Sequence, residues 1–166
     1  STPVPSGLRS HHAFTALWKL LVNQLQYLLK TLRDGQKGFA EAAANAADPA
    51  LADLLRQRSQ QRAEFEEAVR QRILDLGAEP FEHSTLGAAL HRAWLNVRDA
   101  VAGRGDYAVV SECERGEEIA VQKYTDVLSV MDMPAELRAF VQHQFAAVKA
   151  SQQELADLKA KLKKRP

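Results

Sequence analysis

Apolar residues recur along this chain at alternating spacings of four and three, and no strand-length run alternates every second residue. That pattern limits the fold more than any other feature. A mean spacing of about 3.5 residues keeps a stripe on one side of an α-helix, whereas a strand needs a period of two. One stripe runs from Phe14 and Trp18 through Leu21, Leu25, Leu28, Leu32, Gly35 and Phe39 to Ala46. A second takes in Leu51, Leu55, Arg58, Arg62, Phe65, Val69, Arg72 and Leu76. Val110, Cys113, Glu117, Ala120, Tyr124, Val127 and Met131 make a third, and Leu137, Val141, Gln144, Val148, Ser151, Leu155 and Leu162 a fourth. The chain therefore reads as all-α, with seams of the kind that pack in bundles.

Punctuation between the stripes sets the connections. Asp48 before Pro49 is an N-cap followed by a first-turn proline, so one helix ends and the next begins there. Gly77 and Pro80 end the second helix, and Met131 to Pro134 separate the last two. Asp106 is placed to cap the helix that precedes that break. Short turns make two antiparallel hairpins. Between them, residues 79–104 form a long crossover with a shorter stripe of Leu86, Leu90, Trp94, Val97 and Val101. Two hairpins joined by a long crossover is the ferritin-like order of a four-helix bundle, with the short fifth helix in the crossover. At 166 residues the chain is expected to be one domain, its core spanning about 13–162 and residues 1–10 a flexible N-terminus.

Composition narrows the class of partner. The formal net charge is only +1, which argues against a nucleic-acid surface. No apolar run reaches the length of a membrane span, and the N-terminal STPVPSGLRSHH lacks the apolar core of an export signal. The single cysteine, Cys113, excludes an internal disulfide and an all-cysteine metal site. A cytoplasmic protein is the expectation.

Polar residues interrupt the stripes in mid-helix. Glu117 stands in the third seam, Arg58 and Arg62 in the second and Gln144 in the fourth, while Asp34 flanks Gly35 in the first. Fourteen residues back from Asp48 is Asp34, and fourteen forward is Arg62, so the two stand at one height. A charge in a dry core must be paired, and guanidinium holds carboxylates without losing its own charge. The expectation is a core ionic cluster of Asp34, Arg58, Arg62, Glu117 and Gln144, with Arg62 meeting Asp34 and Glu117. The alternative is that the arginines reach outward along their stems. In the crossover, His91, next to Arg92, stands one turn from Trp94, where an imidazole serves either chemistry or a core hydrogen bond. Cys113, on the buried seam between Glu112 and Glu114, reads as a packing residue.

Three segments, DGQKGFAEAA (34–43), ALHRAWLN (89–96) and ECERGEEIAVQKY (112–124), together resemble a bacterial family of ferritin-like four-helix-bundle proteins known as a domain of unknown function. The resemblance extends from about Leu17 to Leu155. The wider superfamily implies di-iron sites built from glutamates and Glu-x-x-His pairs. Here the second helix has Arg62 and Phe65 at the corresponding spacing, and the last helix has no such pair. The expectation is a non-enzymatic structural or interaction protein, self-associating as a dimer, without a cofactor, and stress-related by the resemblance alone. The alternative is an oxidoreductase or storage bundle that binds iron, manganese or zinc through Glu117, Glu114 and His91, with Asp34 or Glu41.

Overall fold

The computed structural model describes residues 6–81 and 105–164. Within them lie four helices and no strand: α1 (Ser6–Asn45), α2 (Pro49–Asp75), α3 (Asp106–Leu128) and α4 (Ala135–Lys163). Helix α1 begins at Ser6, within the segment 1–10 expected to be a flexible terminus. The expected fifth helix, with His91, Arg92 and Trp94, lies outside the described residues.

The turn from α1 to α2 follows the local chemistry. Asp48 is extended, its Oδ1 accepts the Ala50 N–H at 3.0 Å, and Pro49 opens the helix where no N–H is needed. At the other end of α2, Gly77 adopts φ 81°, a left-handed conformation that glycine enters without a Cβ clash. The Ala78 N–H then reaches the Ile73 carbonyl at 3.1 Å and the Gly77 N–H the Leu74 carbonyl at 2.9 Å, closing the helix in a Schellman turn. The α3–α4 turn is held by Arg138, which donates to the Leu128 and Val130 carbonyls at 2.8 and 2.7 Å.

Asp106 does something other than cap its own helix. Gly105 occupies the N-cap position of α3, and the Asp106 carboxylate accepts the backbone N–H groups of Ala47 and Asp48 at 2.7 and 3.0 Å. The start of α3 is thereby tied to the α1–α2 turn, here called the upper end. Since α2 also starts there, α2 and α3 run in the same direction, antiparallel to α1 and α4. After α2 the chain turns back up along α1. Trp18 donates to the Leu76 carbonyl at 2.6 Å, Gln26 exchanges hydrogen bonds with Glu79 and Phe81 at 2.8 and 3.0 Å, and Arg33 donates to the Phe81 carbonyl at 3.0 Å. Residues 76–81 form a strap fastened to α1 at three heights.

Two apolar clusters fill the bundle. The lower is leucine-rich, centred on Leu25, Leu28, Leu32, Val69, Ile73 and Val141. The upper packs Phe39, Ala42, Leu55, Val110, Cys113 and Leu155. Each fully buried Leu, Ile or Phe contributes about 1.5–3 kcal/mol relative to exposure, so these layers supply most of the driving force. The stripes overreach at the lower end. Phe14 is 66% exposed because α1 extends beyond the end of α2, and Met131 is 80% exposed because α3 stops at Leu128; Val130 and Met133 are buried instead.

Candidate functional site

Between the two apolar clusters lies a belt of buried polar side chains contributed by all four helices. Its centre is the pair of Arg62 on α2 and Glu117 on α3, each about 1% exposed, with the Arg62 Nη2 in direct contact with the Glu117 Oε2. The guanidinium has two further neighbours. Nη1 donates to the Gln61 Oε1 at 3.1 Å, and Cζ stands 5.5 Å from the centre of the Phe39 ring, within cation–π range. The arginine stem crosses Gly35, where an added Cβ would meet the Arg62 Cγ at 3.8 Å. The room left by that glycine is therefore taken by the arginine.

On α1 the carboxylate of Asp34, 1% exposed, is held by Lys30 one turn below it, Nζ to Oδ1 at 2.6 Å. Lys30 is itself buried, which is unusual for a lysine without a carboxylate partner. Below Glu117 on the same face of α3, the Tyr124 hydroxyl donates to the Gln144 Oε1 at 2.7 Å. The Gln144 Nε2 in turn donates to the Phe65 carbonyl at 3.3 Å, joining α3, α4 and α2. Burial pushes the Tyr124 phenol up from its ordinary range; Arg62 opposes that shift and Glu117 adds to it. Burial also pushes the Cys113 thiol up, with Glu117 and then Glu112 adding to the rise. Both groups are held protonated, so neither is a nucleophile or base near neutral pH.

Four residues of the expected cluster, Asp34, Arg62, Glu117 and Gln144, occupy the belt. Arg58 does not: it turns to the rim and binds Glu154 at 2.6 Å, with side-chain exposures of 21% and 44%. One helical turn separates it from Arg62, and that turn carries it past the seam to a long stem's reach of water. Asp34, expected to meet Arg62, has Lys30 of its own helix as its ion-pair partner. Glu114 lies beside the seam and faces Lys159 at 3.3 Å, while Glu41 is half-buried on α1 above Asp34. Lys30 was legible as a residue four before Asp34. The Tyr124–Gln144 bond was legible as two residues ten from Pro134 on either side.

The donors among the described residues do not make up the ligand set of a di-iron centre. Among the described residues no group of three or more His, Cys, Asp or Glu side chains is placed to hold a metal ion. Glu117 already carries a guanidinium and Asp34 an ammonium, so the positive charge that a metal would bring is supplied by the chain itself. The described helices also include none that is long and apolar enough to cross a membrane. A family model described as a domain of unknown function, DUF2383, matches residues 21–130, more than half of the chain and most of this belt. No curated protein matches it.

Proposed function

Since the chain belongs to the DUF2383 family, whose description leaves function open, we propose that it is a non-enzymatic helical bundle with a structural or interaction role. In this reading the bundle has the ferritin-like order, and an Arg62–carboxylate belt stands where that architecture would hold two metal ions. The observation that carries the proposal is the Arg62–Glu117 pair, buried and in direct contact at mid-height. The shared direction of α2 and α3, with a strap climbing α1 between them, supports the order, because such a connection must return along the bundle. A charge-balanced core of this kind specifies which helices meet and at what height, without a bound cofactor.

The proposal extends to a cytoplasmic homodimer that takes part in a stress response, without a nucleic-acid, membrane or resident-metal partner. Elemental analysis tests its central part. The full chain, purified from medium supplemented with iron, manganese and zinc, should contain far less than one metal per chain and show no change in melting temperature when those ions are added. A stoichiometric metal would reverse the conclusion in favour of an oxidoreductase or storage bundle. Light scattering coupled to size exclusion tests the dimer.

A further inference from the structure

The geometry points to an internal water site in the belt, between the hydroxyl of Ser151 and the carboxylate of Glu117. Ser151 is 1% exposed on the seam of α4, and its Oγ is buried without a hydrogen-bond partner among the described residues. A helical serine often returns its hydroxyl to the carbonyl four residues back. Ser151 does not do so with Ala147. A buried hydroxyl left unpaired is costly, and internal waters are the usual remedy where the surroundings are polar.

The position of Ser151 follows from the bond beneath it. Tyr124 and Gln144 meet across α3 and α4. Seven residues are two helical turns, a step that preserves both face and height in an antiparallel pair. Two turns up α3 from Tyr124 is Glu117, and two turns up α4 from Gln144 is Ser151. Helix α2 gives the same level independently. Gln144 touches Phe65 and Glu154 touches Arg58, so Ser151 lies between those contacts, as Arg62 does on α2. Side chains lean toward the N-terminus of their helix, which carries the Arg62 guanidinium up toward Ser151.

The two layers differ in reach. A phenol and an amide span the gap between α3 and α4 directly. A glutamate opposite a serine is shorter by most of an aromatic ring, and the glutamate is drawn aside to Arg62. A carboxylate retains acceptor positions beyond the one that Arg62 uses. A water there donates to Glu117 and accepts from the Ser151 hydroxyl. Because Glu117 is already neutralised by Arg62, a neutral ligand fits this position better than an ion. The inference rests on the geometry of the belt and is independent of the functional role proposed above.

Water oxygen-17 relaxation dispersion, which registers waters held inside a protein for longer than its tumbling time, provides the test on the full chain. Ser151→Val replaces the hydroxyl with a methyl-bearing side chain of larger volume and should remove the contribution of one long-lived water. Circular dichroism and thermal melting verify that the variant is folded. Equal dispersion in the two proteins overturns the proposal. If the valine variant does not fold, a high-resolution crystal structure of the unaltered chain decides. Density within hydrogen-bonding distance of both Ser151 Oγ and Glu117 sustains the site. A Ser151 hydroxyl turned back to Ala147, a bound ion, or empty space overturns it.

Discussion

Arg58 and Arg62 stand one turn apart on the same seam of α2, yet they belong to different regions of the molecule. Arg62 is buried in the belt against Glu117, and Arg58 is at the rim against Glu154. The local sequence treats them alike. What separates them is the solvent available to their partners: Glu117 is 1% exposed and the Glu154 side chain 44%. In water the attraction between two charges is weak and each remains well solvated alone. In the belt neither charge has bulk solvent to return to, so removal of one strands the other. The same contact thus has two different consequences.

The largest effect should come from stranding one member of the buried pair. Arg62→Ala is expected to cost about 3–5 kcal/mol of unfolding free energy, measured by denaturant titration. Glu117→Ala should do the same. The replacement of both by apolar residues, Arg62→Met with Glu117→Leu, sharpens the point: the double variant should recover the wild-type stability or exceed it by about 1–4 kcal/mol. If that double variant is as unstable as either single one, the pair does more than neutralise itself.

A pH titration probes the same region from the side of its neutral groups. Cys113 and Tyr124 both have folded-state pKa values above their unfolded ones. Their contribution is complete below the unfolded values and declines as pH rises past them, because the unfolded chain ionises first. Stability should therefore fall above about pH 8.5, by roughly 1.4 kcal/mol per pH unit for each group that ionises only in the unfolded chain. Cys113→Ala should remove the first part of that slope, measured by thermal melting between neutral and alkaline pH. In the native protein at neutral pH the thiol should react slowly with a disulfide reagent.

A smaller loss is expected at the upper end. Asp106→Ala removes the acceptor for two backbone N–H groups at a partly exposed site and should cost about 1–2 kcal/mol by denaturant titration. Arg58→Ala, at the rim, should cost less than about 1 kcal/mol. Added salt should weaken the Arg58 pair and leave the Arg62 pair nearly unchanged. A large loss in Arg58→Ala would erase the contrast between the two arginines.

Much of the architecture could be read from the seams. The helix spacing, the Asp48–Pro49 start and the Gly77 stop are local matters, governed by periodicity and by which residues tolerate a cap or a positive φ. The counting from Asp48 that put Asp34 level with Arg62, and the seam count that drove Glu117 inward, used only the geometry of a helix. Their outcome in space is a belt between a leucine-rich cluster and one of smaller residues. The ends of the stripes were harder, because burial at Phe14 or Met131 depends on how far a neighbouring helix extends, and no local pattern carries that length.

Heights and faces, then, were determined by the sequence alone, since they follow from residue counts along regular helices. Partners were decided by the tertiary structure. Arg62 chose Glu117, Asp34 is held by Lys30, and Arg58 went to the rim, because a long flexible cation can reach several carboxylates at one level. Which of them it meets depends on helix rotation of a few tens of degrees and on what excludes water there. Asp106 shows the same limit: its position marks it as a helix start, but only the folded bundle brings it to the N–H groups of Ala47 and Asp48.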